Sequence, residues 1–252
     1  MKFPALPENV ARIQPGDRFS FLCHKDIGCF THCCRQLELV LTPYDVLRLR
    51  QATGLSSSDL LKNYIIREYE KAEPFPRYYL TMVDDGRDSC VFVADSGCTV
   101  YQHRPGACRT YPLGRGVTRK NKEIEEYFVL LREPHCLGHE EQTVQTIETY
   151  SRSQELETYN RFNDLLTEIQ QHQRIRSGMK LSAAQISDYQ CALYDIDTFR
   201  QKMAGNRCAP GAEAIETLDD EALLACGFRW LKKTLFGPAG ETAEGCKTSG
   251  RV

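Results

Sequence analysis

The chain lacks any long, uninterrupted hydrophobic run. Residues 1–22 are polar and contain prolines, and they offer no apolar stretch of the length found in a secretory signal peptide. Nowhere does the sequence reach the roughly 18 consecutive apolar residues that a membrane-spanning helix requires. We therefore expect a soluble, cytoplasmic protein with no membrane among its partners.

An excess of positive charge is missing as well. The 32 lysines and arginines are balanced by 34 aspartates and glutamates, so the formal net charge is −2. Domains that bind nucleic acids usually carry a strongly basic surface. We therefore expect no nucleic-acid partner, whereas a protein substrate and any oligomeric state are compatible with this charge.

Several catalytic motifs are absent too. The cysteines do not form the Cys-x3-Cys-x2-Cys triplet that usually binds the iron–sulfur cluster of radical S-adenosylmethionine enzymes. The Gly-Arg-Gly sequence of residues 114–116 lacks the strand–helix setting of a phosphate-binding glycine loop. No serine is marked as a nucleophile by its neighbours. These absences leave any chemistry to a bound group, and they leave open whether the protein is an enzyme.

Cysteine, by contrast, is abundant and clustered. Four of the 12 cysteines fall within twelve residues, and four more follow in the first part of the chain. Thiols stay reduced in the cytoplasm, and a chain of 252 residues can bury a core without disulfides. Clustered thiols in that setting are typically metal ligands. Not all of the eight clustered cysteines need be ligands, and the candidates are Cys23, Cys29, Cys33, Cys34, Cys90, Cys98, Cys108 and Cys136.

The opening group of cysteines carries the strongest indication of a metal. Its pattern, Cys23-x5-Cys29-x3-Cys33-Cys34, lets several sulfurs of one short loop converge on one centre. Adjacent side chains tend to point in different directions, so one of the last two is expected to bind metal while the other bridges a cluster or packs inward. The widely spaced cysteines are instead interpreted as free thiols that pack as small hydrophobic residues: Cys191, Cys208, Cys226 and Cys246.

Histidines accompany the clustered cysteines. Five of the six histidines lie in the first part of the chain, and four of those lie within three residues of a cysteine. Each can bind metal or donate a hydrogen bond to a thiolate, and we favour the second role. The five are His24, His32, His103, His135 and His139.

The predicted fold class is α+β. We expect a small cysteine-rich metal-binding domain with short helices and an antiparallel hairpin, followed by a mainly helical C-terminal region. The proposed division is an N-terminal extension (1–19), a cysteine-cluster metal-binding domain (20–140), a helical region (141–236) and a disordered tail (237–252), because the tail is small, polar and rich in glycine.

Local patterns predict the elements of the first half. Capping residues followed by apolar periodicity predict helices over 43–53 and 56–71. Aromatic and β-branched residues at 77–83 and 89–93 flank the turn sequence Asp-Asp-Gly-Arg, which predicts a hairpin. The remaining expectations are a basic exposed loop at 115–122 and a strand at 124–131.

The second half is predicted to be helical. Apolar residues recur at helical spacing over 156–169 and 186–203, and the second of these stretches follows a capping box of Ser182 with Gln185. A third helix is expected to begin between Thr217 and Asp220 and to continue to residue 235.

The clustered cysteines and their neighbours resemble the YkgJ-type cysteine-cluster family. The resemblance rests on the opening group, on residues 98–113 (CTVYQHRPGACRTYPL) and on the late Cys-Leu-Gly of residues 136–138, and it spans about residues 20–140. The family motif is written CxxCxxCC, and its domain is described as a zinc- or iron-chelating, or iron–sulfur, module. The resemblance implies that all eight clustered cysteines bind metal. Two departures are a wider spacing of the first cysteines and the lack of a proline after Cys136.

A related branch of that family includes a flagellin lysine N-methylase. This branch implies modification of a protein substrate, with S-adenosylmethionine as a methyl donor whose carboxylate would be met by Arg104 and the basic residues of 115–122.

Two arginines bracket Cys108 in the resembling segment, Arg104 and Arg109. A metal surrounded by several thiolates leaves net negative charge, which a neighbouring guanidinium offsets while its fixed fork of donors holds the geometry. Either arginine can instead hold an anionic cofactor or substrate. We favour the role beside the metal and keep the cofactor-binding role open.

Two functional hypotheses follow. The first is an iron or iron–sulfur protein that acts in protein modification or redox chemistry. The alternative is a non-catalytic structural zinc module that mediates interactions. An open coordination position or a redox-active metal distinguishes them, because structural zinc sites are closed by four protein ligands.

Overall fold

The computed structural model describes residues 6–70, 72–120, 123–207 and 214–237. These residues form two compact units. Unit 1 comprises the described residues up to Leu39 together with Leu80–Thr167, and unit 2 comprises those of Val40–Tyr79 and those from Glu168 onward. No helix within the described ranges is both long and apolar enough to cross a membrane.

Helices and short antiparallel strands are mixed along the chain. The strands are β1 (Val10–Ile13), β2 (Phe19–Ser20), β3 (Ile65–Glu68), β4 (Arg77–Leu80), β5 (Met82–Val83), β6 (Ser89–Cys90), β7 (Val93–Ala94), β8 (Gly97–Cys98), β9 (Leu113–Lys120), β10 (Glu123–Leu131) and β11 (Val144–Gln145). The α-helices are α1 (Pro43–Thr53), α2 (Ser57–Tyr64), α3 (Gly106–Thr110), α4 (Ile147–Ser153), α5 (Leu156–Gln170), α6 (Gln173–Arg176), α7 (Ala183–Leu193), α8 (Ile196–Lys202) and α9 (Asp220–Phe236). The α+β class with a mainly helical C-terminal part is confirmed.

A three-stranded antiparallel sheet, in the order β1-β10-β9, supports unit 1. Its register places Leu113 opposite Leu130 and Ile13 opposite Phe128, so apolar side chains fall on one face. Cys136 packs against the core that this face covers, so one predicted ligand is anchored on the hydrophobic core. The buried members of that core are Ile13, Phe19, Phe21, Leu113, Leu130, Ile147 and Tyr150.

The expectation of an exposed loop at 115–122 is wrong for the described residues. Strand β9 continues to Lys120 and pairs with β10 along its length, while residues 121–122 lie outside the described part. The Arg115 side chain is only 12% exposed and forms ion pairs with Glu126 and Asp164, each at 2.7 Å. These carboxylates balance its charge, so the arginine is accommodated in the sheet. The strand predicted at 124–131 is confirmed as β10.

The predicted hairpin forms in a shorter version. The turn at 84–87 joins β5 to β6, and Gly86 has the positive φ (75°) that such a turn requires. Strand β4, which was expected to belong to this hairpin, pairs with β3 instead. Because the chain enters β3 at Ile65, the helix predicted over 56–71 ends at Tyr64.

Unit 2 is mainly helical, and local capping explains its helix starts. The Asp45 carboxylate accepts a hydrogen bond from the Thr42 backbone N–H at 2.8 Å, which closes the predicted capping box of α1. The helix predicted over 186–203 is divided near Asp195, whose side chain caps α8. Helix α9 is capped by Asp219. Helices α7, α8 and α9 pack against one another.

Two of the four widely spaced cysteines, which were expected to be free thiols, lie among the described residues of unit 2. Cys191 is buried and free, as expected. Cys226 is disulfide-bonded, so its interpretation as a free thiol is wrong. The other two scattered cysteines, Cys208 and Cys246, and the tail from residue 238 lie outside the described residues.

The predicted end of the metal-binding domain at residue 140 stays a prediction.

Candidate metal centre

The opening cysteine group lies on a tightly turned loop of unit 1. The His32 N–H donates to the Cys29 carbonyl at 2.9 Å, and the Cys34 N–H donates to the Thr31 carbonyl at 3.0 Å. These bonds form a short 3₁₀ turn over His32–Cys34. Thr31 and Gln36, which flank that turn, both have positive φ (64° and 53°) although neither is glycine. Such conformations cost energy and cluster at functional sites.

Arg35 braces this turn. Its Nη1 donates to the Thr31 carbonyl at 2.6 Å and to the Thr31 hydroxyl at 3.1 Å. The backbone of Arg35 forms an isolated antiparallel bridge with Ser89, and the Gln36 N–H donates to the Asp88 carbonyl at 2.9 Å. The brace therefore fixes the end of the cysteine loop beside the strand that carries Cys90.

The other end of the loop is tied to the late cysteine. The Leu137 N–H donates to the Cys29 sulfur at 3.3 Å, and the Leu22 N–H donates to the Gly138 carbonyl at 3.0 Å. A side chain at Gly138 would meet the Phe21 ring at 2.7 Å, so the close approach of these two segments requires glycine. These contacts bring Cys29 and Cys136 together and place Cys23, the residue after Leu22, beside them.

The second cysteine group is carried by short turns. Strands β7 and β8, each two residues long, form a hairpin that ends at Cys98. At the open end of this hairpin, the Thr99 N–H donates to the Phe92 carbonyl at 2.9 Å. The ring of Phe30, from the opening loop, lies against Gly97, where a Cβ would meet it at 2.9 Å. Cys108 is exposed on α3. Phe30 thus links the opening loop to the hairpin of the second group.

A hydrogen bond between Cys33 and Cys34 shifts the pKa values of the two thiols in opposite directions. Accepting this bond from Cys34 lowers the pKa of Cys33 to about 7, and Arg35 adds a smaller lowering effect. Donating the same bond raises the pKa of Cys34, and burial raises it further. Cys33 is therefore closer than Cys34 to its ionised, metal-binding form at neutral pH.

Burial has the opposite effect on the surrounding thiols. It raises the pKa of Cys23 to about 11, and it also raises the pKa values of Cys90, Cys98 and Cys136. The neutral forms of these thiols are favoured until a cation compensates for the lost hydration. A thiophilic metal supplies that compensation, so binding must release protons.

The donor chemistry fits the predicted metal. All eight clustered cysteines are free thiols, and thiolates are the preferred ligands of zinc and of iron–sulfur clusters. Among the residues that the structure describes, no group of three or more histidine, cysteine or acidic side chains is already drawn together tightly enough to hold an ion. Because thiolates repel one another, a shared cation is what would draw these sulfurs into contact.

The two arginines beside Cys108 differ in their surroundings. Arg109 is 2% exposed and donates to the carbonyls of Gln102 and Gln154, so it braces the backbone of the site. Arg104 lies 3.9 Å from the ring centroid of Tyr101, and its charge lowers the pKa values of Cys23 and Cys98 against the effect of burial. The predicted cofactor-binding role of both arginines stays a prediction.

Three of the neighbouring histidines have partners in the protein. His24 pairs with Glu141 at 3.3 Å, His135 pairs with Glu133 at 3.4 Å, and His139 contacts the Leu131 carbonyl at 2.9 Å. None of these three contacts is made to a thiolate, so the supporting role expected for the histidines stays a prediction.

Two contributors to the site were missed in the sequence. Arg35 follows Cys34 directly, and its position immediately after two cysteines was the available indication. Tyr111 was interpreted as aromatic packing, but its buried hydroxyl lies beside the Cys136 thiol and lowers the pKa of that thiol against the larger effect of burial. No local pattern marks that hydroxyl, since the two residues lie on different segments.

Comparison with known proteins identifies the class of the site. Residues 22–137 match the model of the CxxCxxCC family, described as a "putative zinc- or iron-chelating domain". The resemblance expected from the cysteine pattern is thereby confirmed for this segment. No curated protein and no solved structure gives a match to the chain.

Proposed function

We propose that residues 22–137 bind iron, as an ion or in an iron–sulfur cluster, and serve a redox step or the modification of another protein. One observation carries the proposal: backbone contacts connect separate stretches of unit 1 that carry reduced thiols, because the opening loop contacts the segment of Cys136 at one end and the strand of Cys90 at the other. The electrostatic effect of Cys33 reaches Cys23, Cys90, Cys98 and Cys136. A buried core needs no such assembly of ionisable sulfur.

The exposure of the site favours a working metal over a purely structural one. Cys23, Cys33 and Cys108 are exposed, so a large substrate can reach the sulfur-lined surface. Iron bound there supplies electron-transfer or Lewis-acid chemistry. The surrounding residues would hold the centre, because Arg35 and Arg104 offset the thiolate charge and the Tyr111 hydroxyl can donate a hydrogen bond to the sulfur of Cys136.

A direct test is anaerobic purification followed by measurement of iron, zinc and acid-labile sulfide, together with an optical spectrum. We expect iron in the purified protein, with sulfur-to-iron charge-transfer absorption. Zinc alone, without such absorption, would favour the alternative. Metal content near zero after expression in supplemented medium would contradict every metal-binding proposal for this segment.

The alternative, a structural zinc module, is favoured by the local architecture. The second cysteine group is held by β5, β6, β7 and β8, each two residues long. Elements so short bury little apolar surface, and a metal commonly stabilises segments of this kind. Under this alternative the domain binds partners and performs no chemistry.

The methylase branch supplies a second, finer proposal, in which the metal-loaded domain binds S-adenosylmethionine. Arg115 is engaged by Glu126 and Asp164, so Arg104 is the better-placed cation for the carboxylate of the donor. We expect calorimetry on the metal-loaded protein to show micromolar binding, on the order of 8 kcal/mol, and Arg104→Ala to weaken it. Arg87→Ala, at an exposed turn, is the control. Absence of heat at concentrations well above that affinity would remove this cofactor from the proposal.

A further inference from the structure

Unit 2 contains a groove whose lining residues all belong to that unit. Two cavities form it, each of about 350 Å³, and ligand sites typically have volumes of about 300–1,000 Å³. The cavities adjoin, because three residues line both of them: Arg67, Gln190 and Asp195. We call the two cavities together the unit 2 groove. Its other lining residues come from α2, α7 and α8 and from the segment that runs from β3 to β4.

Strand β3 turns one of its faces toward this groove. Side chains alternate between the two faces of a strand, and the lining includes Ile65 and Arg67 together with Tyr69, just beyond the strand. Ile66 and Glu68 fall on the opposite face. The cation of β3 therefore faces the groove, whereas its carboxylate does not.

Arg67 is held in the groove by a neutral partner. Its Nη1 donates to Oε1 of Gln190 at 2.7 Å, and the Tyr78 hydroxyl donates to the same oxygen at 3.4 Å. A guanidinium carries five N–H donors, so the bond to Gln190 leaves others for a ligand. Because the Gln190 oxygen is engaged, its amide N–H groups are left as donors as well.

Two lysines add positive charge to the groove. Lys62, in the last turn of α2, is exposed and forms no hydrogen bond or ion pair with another residue that the structure describes. Lys202 lines the other cavity, and its charge acts on Asp188 of the neighbouring α7. The groove thus contains three cations, of which two have no carboxylate partner among the described residues.

The carboxylate that lines the groove is already bound by the protein. Asp195 accepts hydrogen bonds from the hydroxyls of Ser57 and Ser58, at 2.6 and 2.9 Å, and its side chain caps α8. These donors offset its negative charge. The positive charge of Lys62 and Arg67 is therefore available to an anionic ligand.

We propose that the unit 2 groove docks an extended acidic segment of a partner protein, whose carboxylates are bound by Lys62, Arg67 and Gln190. Charge complementarity identifies the occupant, because cations and amide donors are the groups that bind carboxylates most strongly. This inference goes beyond the proposed function, since it concerns unit 2 and does not depend on the metal.

Two features favour a peptide over a compact small molecule. An extended peptide presents alternate side chains on one face, so two of them can enter the two adjoining cavities. Strand β3 pairs only with β4 among the described residues, and an extended peptide can add to an open strand edge. Tyr69, which is 38% exposed, offers an apolar ring beside the cations.

The first experiment measures fluorescence anisotropy of a labelled peptide of alternating glutamate and valine, titrated with the full-length protein. We expect it to bind at least about tenfold more tightly than the matched peptide with glutamine in place of glutamate. Salt should weaken the binding, since the cations are exposed. Equal affinities for the two peptides, or no binding of the glutamate peptide, would overturn the inference and leave the proposed metal binding intact.

The second experiment assigns the binding to the groove. Lys62→Gln is expected to weaken binding of the glutamate peptide by about three- to tenfold, without a change in melting temperature because the side chain has no described partner. Lys232→Gln, on α9 and outside both cavities, is the matched control. Equal affinities for Lys62→Gln and the wild type would contradict the assignment. Displacement of the peptide by glutarate at the same concentration would indicate a small-carboxylate site and overturn the choice of a peptide.

Discussion

At the scale of single residues, Arg35 is a side chain that fixes the geometry of the opening loop. Its guanidinium joins the carbonyl and hydroxyl of Thr31, whose backbone is held in an uncommon conformation, and its charge acts on Cys33. Lysine carries the same charge without the planar fork of donors. Substitutions at this position can therefore separate the contribution of charge from that of geometry.

Replacing Arg35 with glutamine is expected to weaken metal binding by about tenfold to a hundredfold, because a charge-assisted hydrogen bond is worth about 1.5–3 kcal/mol. Competition against a chromophoric chelator measures this, with Arg35→Lys expected to fall between the wild type and the glutamine variant. The control is Arg67→Gln, since Arg67 bonds Gln190 in unit 2. Equal affinities for Arg35→Gln and the wild type would show that the brace plays no part in binding.

Thiol ionisation gives a second prediction at this scale. With a pKa of about 7, Cys33 is about half ionised at neutral pH, whereas Cys23, with a pKa of about 11, is almost wholly protonated. Both residues are exposed, so access does not distinguish them. Limited alkylation of the metal-free protein, followed by peptide mass spectrometry, should label Cys33 before Cys23 at pH 7. Raising the pH toward the pKa of Cys23 should narrow the difference, and preferential labelling of Cys23 at pH 7 would contradict it.

At the scale of elements, β9 depends on contacts that are distant in sequence. Arg115 reaches Glu126 on β10 and Asp164 on α5. Arg115→Ala should lower the free energy of unfolding by about 1–2 kcal/mol, since it removes charge-assisted bonds that are only partly exposed. Chemical denaturation measures the change. Arg87→Ala, in the exposed turn between β5 and β6, serves as the comparison, and an equal loss in both variants would contradict this role of Arg115.

The distance in sequence between the contacting residues decides which elements the sequence can predict. The start of α1 depends on Thr42 and Asp45, three residues apart, so the pattern alone identifies it. Strand β9 reads as a basic loop because the partners of Arg115 lie 11 and 49 residues away. Helix α2 ends early for a related reason, since pairing with β4 draws its expected last turn into a strand.

The site follows this rule as well. The spacing of the cysteines predicts the candidate ligands, and the family match of residues 22–137 supports the metal chemistry. The brace by Arg35 and the position of the Tyr111 hydroxyl depend on how separate segments meet. Those contacts carry no signature in local spacing, so they emerge only from the three-dimensional arrangement.

At the scale of the whole molecule, metal removal is expected to act on one unit. In unit 1, the backbone bonds at Leu22, Gln36 and Leu137 join segments that the thiols would hold together. Chelation of the metal should therefore accelerate amide hydrogen exchange in residues 22–36, 88–110 and 133–139, because metal binding and local folding are coupled. Helices α7 and α9 of unit 2 should be unaffected, and equal acceleration there would contradict the prediction.

The aromatic residues give the two units different spectroscopic properties. The only tryptophan of the sequence, Trp230, lies on α9 of unit 2. In unit 1, Tyr111 and Tyr150 pack edge-to-face on Phe21, with ring centroids 5.8 and 5.9 Å away, and Tyr111 also lies beside Cys136. Tryptophan emission therefore reports on unit 2, and the change in near-ultraviolet tyrosine dichroism upon metal loading reports on the cysteine site. An unlabelled sample is thus sufficient to follow each unit during loading and unfolding.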